Sequence, residues 1–352
     1  MQAWVVDQPG PVDTGPLLRV EREIPVPGVG QVRLRVAVCG VCRTDLHLAE
    51  GDLTPKHSRV IPGHEVVGYV DRLGPGCSRL QVGERIGVPW LAQTCGICRF
   101  CRAKRENLCT APLFTGWDLD GGYAEYAVVN ESYAYRLPDR FTDEDAAPLL
   151  CAGIIGYRAL RRSNLPAGGR LGIYGFGGSA HLTAQLAIAE GARVHVMTRS
   201  EAARNLALEL GVSSVGDAEA QPPEPLDAAI LFAPVGTLVL PAMAALDRGG
   251  TLAIAGIYLS DIPALSYQAH LFEERALQSV TANTRRDGEE FLELAGQIGI
   301  RVSTTPYPMD QADRALSDLA HDRVNGAAVL VNSSASVGLG EDTAVAGQST
   351  DE

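Results

Sequence analysis

Residues 171–180 of the chain read LGIYGFGGSA, a short apolar strand that runs directly into a glycine-rich turn. A helix is predicted next, over about residues 181–190, and it ends at Gly191. The apolar run 194–197 then predicts a second strand. A strand, a turn of this kind, a helix and a second strand within about thirty residues form the unit that binds dinucleotides. The stretch therefore predicts an α/β fold with a parallel sheet and a dinucleotide site.

The small residues of this turn have separate predicted roles. Gly175 makes the tight turn, Gly177 lets the backbone approach a pyrophosphate, and Ala180 permits close packing of helix on strand. The N-terminus of the helix supplies free N–H groups and a dipole for the phosphates, and Gly178 is counted with Gly175 and Gly177 among the predicted cofactor-binding residues. The alternative is that these glycines serve packing alone. The complete strand–turn–helix–strand context favours dinucleotide binding.

Two further apolar runs, residues 228–232 and 251–254, predict central strands of the same parallel sheet. The uncharged stretch 228–246 is also about long enough to span a bilayer. Two prolines and a glycine interrupt it, however, and an aspartate stands at each end. A buried strand followed by a buried helix is therefore favoured, and no membrane span is predicted.

The end of the second strand bears on the choice of cofactor. Dinucleotide sites normally carry an acidic residue there, which hydrogen-bonds the ribose hydroxyls. This chain has Thr198, followed by Arg199. An acidic side chain would repel a 2′-phosphate, whereas an arginine can pair with one. The alternative is that Arg199 is a solvated turn residue and that Thr198 tolerates NAD; the two changes together favour NADP(H).

Composition limits the class of protein. A chain of 352 residues is long for one hydrophobic core, which predicts two domains. The net charge of -12 argues against nucleic acid and anionic membranes as partners, because both need a cationic face. The eight cysteines fall mostly at metal-like spacings, which suits a reducing compartment. The first residues lack the pattern of a signal peptide, so a cytoplasmic location is predicted.

The first half of the chain is rich in turns and short strands, predicted at residues 32–38, 66–73 and 85–88. This density of breaks predicts a barrel-like or irregular all-β domain. The chain is predicted to return to that domain after about residue 287, through amphipathic helices at 288–296 and 312–320.

A loop in this half carries four cysteines with the spacing Cys95-x2-Cys98-x2-Cys101-x7-Cys109. Four thiolates this close together make a closed tetrahedral zinc site with a structural role. An iron–sulfur cluster is the first alternative, but bacterial ferredoxins have a final gap of about three residues followed by proline. Four unliganded cysteines are the second alternative. The spacing favours structural zinc.

Three more residues, Cys42, His64 and Cys151, are interpreted as ligands of a second zinc ion. Two cysteines and one histidine leave a fourth position open, as a catalytic zinc requires. The alternatives are a redox C-x-x-C formed by Cys39 and Cys42, or buried cysteines that act as small hydrophobic residues.

Polar residues next to Cys42 fit a catalytic centre. The Thr44 hydroxyl can pass a proton, Asp45 can orient the His64 imidazole, and His47 can relay protons outward. These three residues are therefore the predicted catalytic groups around the metal.

Together these motifs resemble the zinc-dependent alcohol dehydrogenases of the medium-chain dehydrogenase/reductase superfamily, particularly the bacterial and yeast-like branch. The resemblance covers about residues 1–332, and it rests on the segments GVCRTDLH (40–47), PGHE (62–65) and CAG (151–153), the four-cysteine loop and the glycine-rich turn.

The resemblance implies a GroES-like irregular β-barrel catalytic domain and a Rossmann doubly wound parallel sheet. The expected boundaries are 1–152 with 288–332 for the first, 153–287 for the second and 333–352 for a disordered tail. It also implies that Cys42, His64 and Cys151 bind catalytic zinc, that Glu65 is an alternate ligand, and that Arg43 contacts the cofactor pyrophosphate.

By the same resemblance, the enzyme would interconvert primary alcohols and aldehydes by hydride transfer to or from NAD(P), as a homodimer or homotetramer. The proton would leave through Thr44, the nicotinamide ribose and His47. Trp90 and Trp117 would line a narrow apolar pocket for small or aromatic alcohols, unless they are ordinary packed tryptophans. One departure is Ile155, where members of this family usually have a threonine against the nicotinamide.

Two other classes of function stay open at this point. A catalytically inactive, zinc-stabilised nucleotide-binding regulatory protein would keep the four-cysteine loop and the parallel sheet, but it would not need Thr44 and His47. An iron–sulfur or thiol redox protein would show visible absorbance or a labile disulfide.

Overall fold

The structure is a computed structural model that describes residues 1–332. The tail predicted at 333–352 lies outside the described residues. Two large sheets organise the described part, one of mixed and one of purely parallel strands.

The first part of the chain is built from short strands, as the turn signals predict. They are β1 (Gln2–Val6), β2 (Leu17–Glu21), β3 (Gln31–Val41), β4 (Val66–Leu73), β5 (Arg85–Val88), β6 (Leu91–Gln93), β7 (Leu113–Phe114), β8 (Tyr126–Asn130) and β9 (Tyr135–Arg136). The predicted strands at 32–38, 66–73 and 85–88 are confirmed as β3, β4 and β5. Four helices accompany them: α1 (Arg43–Glu50), α2 (Arg99–Arg102), α3 (Asp143–Ala146) and α4 (Ala152–Arg162).

The second sheet begins with the glycine-rich stretch. Its strands are β10 (Arg170–Tyr174), β11 (Arg193–Met197), β12 (Ser214–Gly216), β13 (Leu226–Leu231), β14 (Leu246–Ile254) and β15 (Ala276–Ser279), with helices α5 (Gly178–Ala189), α6 (Glu201–Glu209) and α7 (Val239–Ala244) between them. The spatial order is β12-β11-β10-β13-β14-β15, and every pairing is parallel. The Rossmann-type sheet expected from residues 171–197 is thus confirmed.

Alternation along these strands explains why helices cover both faces. In β13, Ala228 and Ile230 pack on the side of α4 and α5, whereas Ala229 and Leu231 pack on the side of α7. Because both faces are buried, the strand reads as a continuous apolar run. The uncharged stretch 228–246 is therefore β13 followed by α7, and no helix within residues 1–332 is long and apolar enough to cross a membrane.

The strand order also fixes the position of the ligand crevice. The chain leaves β10 in one direction along the sheet and resumes at β13 on the other side. Ligands of such sheets bind outside the carboxyl ends of the strands at this switch point. Gly175 follows β10 there.

The last part of the chain returns to the first sheet, as predicted. It forms α8 (Arg285–Ile298), β16 (Thr304–Pro308), α9 (Ala312–Ala320) and β17 (Ala327–Val331). β17 pairs antiparallel with β3, so the first sheet has the order β16-β17-β3-β4-β5-β9, with β8 also on β3. The predicted helix at 312–320 coincides with α9, and the one at 288–296 lies within α8. The domain boundaries themselves stay a prediction.

Candidate functional site

Cys42 stands at the junction of β3 and α1. Its backbone is extended, so it caps the helix, and its Sγ accepts a hydrogen bond from the N–H of Thr44 at 3.3 Å. The Asp45 carboxylate closes the turn by accepting from the N–H of Cys42 at 2.9 Å. A sulfur at a helix N-terminus faces the positive end of the dipole, which favours the thiolate form.

His64 approaches this sulfur from the loop before β4. Its Nε2 lies 3.3 Å from Sγ of Cys42, and its Nδ1 lies 3.3 Å from Oδ1 of Asp45. The same Asp45 oxygen accepts from the N–H of Gly63 at 3.1 Å. Asp45 is only 2% exposed, so a buried carboxylate fixes which nitrogen of His64 faces Cys42. Metal-binding histidines commonly have such a partner.

Cys151, the residue before α4, and Glu65 complete the group. We call Cys42, His64, Glu65 and Cys151 the mixed cluster; their ligand atoms all lie within 4.8 Å of one another. A Cβ added at Gly40 would lie 1.8 Å from Oε2 of Glu65, so the glycine in β3 leaves room for this carboxylate. Two sulfurs, an imidazole and a carboxylate are donors that zinc takes in tetrahedral sites, and the four residues fit that ion.

The electrostatics of the mixed cluster also favour a cation. A hydrogen bond from the Cys151 thiol, aided by His64, holds the pKa of Cys42 well below its usual range despite burial. Burial lowers the pKa of His64, but the Cys42 thiolate and the Asp45 carboxylate outweigh it, so that pKa lies well above its usual range. Burial and the same thiolate raise the pKa of Glu65. A divalent cation would displace these protons and neutralise the buried negative charge.

The four loop cysteines form a second group, the thiol cluster of Cys95, Cys98, Cys101 and Cys109. Their sulfurs also lie within 4.8 Å of one another, with Cys98–Cys101 and Cys95–Cys109 at 3.5 Å. The cluster sits around α2, and the N–H groups of Cys95, Cys98 and Cys101 each point at a sulfur of the cluster at 3.3–3.5 Å. The Cys101 N–H in particular lowers the pKa of Cys98 to about 6. Four sulfurs and no carboxylate or histidine fit a closed zinc site.

The lobe that carries the thiol cluster is tied to a distant part of the chain. The buried Glu106 accepts hydrogen bonds from the N–H of Arg285 at 3.1 Å and from its Nε at 3.3 Å. Asn107 donates to the carbonyl of Thr281 at 3.0 Å. These hydrogen bonds fix the lobe to the connection that leads from β15 into the first residue of α8. Sequence reasoning missed this anchor, because residues almost 180 positions apart carry no local signal.

The predicted proton-transfer residues lie on one side of α1. Thr44 is half-buried in the first turn, and His47 follows one turn later. Nδ1 of His47 lies 3.0 Å from Oδ2 of Asp52, which follows the left-handed Gly51 at the helix end. The His47 ring also contacts the ring of Tyr258, with centroids 4.3 Å apart. Asp52 and Tyr258 were not among the residues predicted from the sequence.

Both predicted pocket tryptophans belong to one aromatic wall. The Trp90 ring lies 6.3 Å from that of His64 and stacks on Phe114 at 4.0 Å. Trp117 stacks on Phe114 in turn, at 5.7 Å. The indole N–H of Trp90 is buried and has no hydrogen-bond partner among the described residues. The wall thus runs outward from the mixed cluster, and Phe114 is the member that sequence reasoning missed.

The glycine-rich turn has the geometry that a pyrophosphate needs. Gly175 has a φ of +82°, and a Cβ there would lie 2.8 Å from Ala233. The next glycine, Gly177, is the N-cap of α5, and no atom lies within 4 Å of where its Cβ would stand. Gly178 begins the helix, so its first N–H groups face the crevice. The turn fits a nicotinamide dinucleotide.

Thr198 and Arg199 stand at the same edge of the sheet. Gly175 donates to the carbonyl of Met197 at 2.8 Å, and Thr198 donates to Gly216 at 3.0 Å, which places the end of β11 beside the turn. Thr198 is buried, whereas Arg199 is exposed. Arg204 of α6 donates to the carbonyls of both residues.

Two residues singled out by the family resemblance, Arg43 and Ile155, lie away from the glycine-rich turn in sequence. Arg43, expected on the pyrophosphate, forms an ion pair with Asp322 at 2.5 Å, so a carboxylate holds its guanidinium in this structure. Ile155 lies in the first turn of α4, half-buried, four residues after Cys151.

Comparison with known proteins agrees with this geometry. Residues 28–139 match the family model of the alcohol dehydrogenase GroES-like domain, and residues 178–297 match that of the zinc-binding dehydrogenases. The chain is 58% identical to a probable alcohol dehydrogenase of Mycobacterium tuberculosis over 94% of its own length and 97% of that protein.

Solved structures show the same fold. A cinnamyl alcohol dehydrogenase from Sorghum bicolor has a TM-score of 0.84 at 27% identity, with 94% of this chain and 97% of that chain covered. A Helicobacter pylori structure described as CAD complexed with NADP(H) has a TM-score of 0.83 at 25% identity, with 94% and 99% covered. The alternative of an inactive regulatory protein gains no support from these relatives.

Proposed function

We propose specific residue roles for this chain, which belongs to the zinc-dependent alcohol dehydrogenases of the medium-chain dehydrogenase/reductase superfamily. It is a zinc-dependent oxidoreductase of alcohols, with a GroES-like domain and a Rossmann-type sheet. The roles of individual residues, the number of zinc ions, the preferred cofactor and the substrate are the parts that we propose.

The observation that carries the proposal is the mixed cluster at the inner end of the aromatic wall. Cys42, His64 and Cys151 hold the zinc, and Glu65 is a fourth donor available when no substrate is bound. When bound there, zinc supplies a Lewis acid that stabilises the developing alkoxide. Asp45 keeps Nε2 of His64 aimed at the metal position through its contact with Nδ1.

Proton transfer is assigned to α1. The Thr44 hydroxyl receives the proton of the alcohol, and His47 carries it toward solvent. Support comes from their positions one turn apart on α1, with Thr44 beside the sulfur of Cys42 and Nδ1 of His47 on the exposed Asp52.

A second zinc ion, bound by the thiol cluster, is proposed to be structural. All four positions of a tetrahedral ion are taken by cysteine, so no place remains for substrate. The hydrogen bonds of Glu106 and Asn107 with residues 281–285 support this role, because they attach the lobe to the segment that follows the last strand of the parallel sheet.

The proposed cofactor is NADP(H), held at the carboxyl edge of the parallel sheet. Thr198 lacks the carboxylate that would repel a 2′-phosphate, and the exposed Arg199 has no ion pair within residues 1–332. The Helicobacter pylori structure described as complexed with NADP(H) supports a nicotinamide cofactor at this edge, and the preference for NADP(H) rests on Thr198 and Arg199. Arg43 is proposed to exchange Asp322 for the pyrophosphate.

The proposed substrates are small or aromatic primary alcohols and the corresponding aldehydes. The flat rings of Trp90, Phe114 and Trp117 form an apolar surface that leads away from the mixed cluster. A planar aromatic substrate can lie along such a surface, since ring contacts add to the free energy of burial. A homodimer or homotetramer in the cytoplasm stays a prediction.

The test is a matrix of turnover measurements. Aliphatic and aromatic primary alcohols, branched secondary alcohols and the corresponding aldehydes and ketones are assayed with NAD(H) and NADP(H), and zinc is counted by mass spectrometry. We expect two zinc ions per chain, higher kcat/KM for aromatic than for branched secondary alcohols, and a preference for NADP(H). One zinc ion per chain would contradict the assignment of two metal sites, and a preference for secondary alcohols would contradict the pocket.

A further inference from the structure

Tyr258 lies where the parallel sheet meets α1, and the mechanism above gives it no role. We propose that Tyr258 is a positioning residue that fixes the imidazole plane of His47 from across the cleft. This inference rests on the proposed function, because it concerns the residue assigned to proton transfer.

Tyr258 makes two contacts with the end of α1. Its ring lies against the His47 ring, with centroids 4.3 Å apart and an angle of 33° between the planes. Its hydroxyl donates a hydrogen bond to the backbone carbonyl of Asp52 at 2.9 Å. The side chain of Asp52 in turn lies 3.0 Å from Nδ1 of His47. Tyr258 therefore contacts one face of the imidazole and also anchors the residue that contacts its edge.

These contacts join the two parts of the chain. Tyr258 belongs to the loop after β14, at the carboxyl edge of the parallel sheet, whereas His47 and Asp52 lie 206 or more positions earlier. The carboxyl edge is also where the cofactor binds in sheets of this type. The orientation of His47 is therefore coupled to the position of the sheet across the cleft.

The backbone of Tyr258 shows that this placement is costly. Its φ is +53°, a left-handed conformation that bulky side chains rarely adopt. Conformations of this kind are strained and persist where the surroundings over-determine them. The residue is 52% exposed, so burial of its ring is a weak reason for the strain. The contacts with His47 and Asp52 are the interactions that hold it.

The other charged groups near α1 are already engaged. Arg43 pairs with Asp322, and Glu50 accepts from the N–H of Val12. On the elements packed against α1, His321 of the α9 end pairs with Asp13. Asp52 is thus the carboxylate in direct contact with His47. We therefore expect a shift of the Asp52 backbone to change the orientation of the His47 imidazole more than a shift of any other charged group near α1 would.

The experiment separates the ring contact from the hydroxyl contact. Tyr258→Leu removes the ring that lies against His47, and Tyr258→Phe removes only the hydrogen bond to Asp52. Tyr267→Leu is the matched control. Tyr267 is also an exposed tyrosine that follows β14, but its ring contacts Phe272 and not His47.

The first measurement uses zinc-loaded protein without cofactor. Histidine-labelled protein is titrated by NMR, and the His47 ring signals are assigned with His47→Gln. We expect Tyr258→Leu to shift and broaden these signals. Tyr258→Phe should change them less, and Tyr267→Leu should leave them as in the wild type.

The second measurement is the pH profile of alcohol oxidation. Because general acid–base groups contribute ~10²–10⁴-fold, loss of imidazole alignment should cost roughly threefold to tenfold in kcat below neutral pH. The KM for cofactor should stay unchanged in Tyr258→Leu, and the loss should shrink above neutral pH.

The outcomes separate this inference from the proposed function. If His47→Gln slows turnover but Tyr258→Leu leaves both the His47 signals and kcat unchanged, the positioning role is wrong and the proton route stands. If His47→Gln has no effect on turnover, the proton route is wrong, and the NMR signals alone decide whether Tyr258 holds the ring. Weaker NADP(H) binding in Tyr258→Leu with unaltered His47 signals would make Tyr258 a cofactor contact and overturn the inference.

Discussion

The mixed cluster and the thiol cluster each gather four metal-binding side chains within 4.8 Å, but their surroundings differ. Around the mixed cluster the partners are mainly side chains, Asp45 on His64 and Cys151 on Cys42, and the backbone N–H of Thr44 adds one more hydrogen bond to Cys42. Around the thiol cluster the partners are backbone N–H groups of the same loop.

We propose that this difference separates reactivity from stability within one chain. The mixed cluster draws its ligands from three segments, around residues 42, 64 and 151, so it exists only when the whole first part of the chain is folded. The thiol cluster comes from a single stretch of fifteen residues, 95–109, which the metal itself can organise. Loss of the first should remove activity, and loss of the second should remove stability.

The largest expected effect is on turnover in Cys42→Ala. Because the metal there contributes several kcal/mol to the transition state, kcat should fall by roughly a thousandfold or more. The melting temperature should change little. Cys39→Ala is the matched control: Cys39 is a buried thiol three residues away that lies outside the cluster. Substantial activity in Cys42→Ala with its zinc absent would refute the catalytic assignment.

Thr44→Ala should come next. The hydroxyl is proposed to contact the reacting oxygen, and general acid–base groups are worth ~10²–10⁴-fold, so kcat should fall within that range. Both zinc ions should stay bound, which distinguishes this variant from Cys42→Ala. Thr44→Ser should restore most of the activity, because it returns the hydroxyl; failure of that rescue would indicate a packing role instead.

Cys101→Ala tests the other side of the comparison. Loss of the thiol-cluster zinc should cost several kcal/mol, and each kcal/mol shifts Tm by about 1–2 °C in a chain of 352 residues, so a drop of roughly 5 °C or more is expected. At temperatures where the variant is folded, kcat should stay within a few fold of the wild type. The control is Cys77→Ala, a thiol outside both clusters. A stable but inactive Cys101 variant would reverse the two roles.

The sequence predicts the clusters better than it predicts what connects them. Ligand type and spacing were enough to group Cys95, Cys98, Cys101 and Cys109, because all four lie in one loop. Grouping Cys42 with Cys151 needed chemical analogy, since no local pattern relates them. The contacts of Glu106 with Arg285 and of Tyr258 with Asp52 follow only from the three-dimensional arrangement.

The bounds of the helices and strands were likewise predicted well where they depend on local pattern and less well where they depend on distant contacts. Apolar alternation gave β4, β5 and α9 with their observed bounds, because each is set by its own burial pattern. β3 was predicted too short. It extends to Val41 because it pairs with β17, a strand almost 290 residues later. α5 begins at Gly178 rather than 181, since the glycine turn itself enters the first turn of the helix.

His47→Gln should have a smaller effect than Thr44→Ala. Glutamine cannot take up a proton, so alcohol oxidation should slow most below neutral pH, where a missing base matters, and the affinity for cofactor should be spared. The measurement is kcat as a function of pH, with cofactor affinity from fluorescence quenching. His57→Gln is the control, an exposed histidine outside the mixed cluster. Equal and small losses for Thr44→Ala and His47→Gln would contradict the proton route.

The smallest expected effect concerns the choice of cofactor at the carboxyl edge of the parallel sheet. Neither cluster is expected to influence that choice. Arg199 is exposed beside the uncharged Thr198, at the same sheet edge as the glycine turn. A charge-assisted contact with a 2′-phosphate is worth roughly 1.5–3 kcal/mol, or about tenfold or more in kcat/KM between the cofactors. Arg199→Ala should therefore weaken NADP(H) and leave NAD(H) almost unchanged.

Thr198→Asp should act in the opposite direction, because a carboxylate would bond the ribose hydroxyls of NAD and repel the phosphate. Arg248→Ala is the control, because Arg248 is an exposed arginine at the start of β14, away from the carboxyl edge of the sheet where the cofactor is proposed to bind. Cys101→Ala should leave the ratio of kcat/KM for the two cofactors unchanged, since the thiol cluster is proposed to act on stability alone. A wild type that prefers NAD, with Arg199→Ala altering neither value, would show that Arg199 is a solvated surface residue.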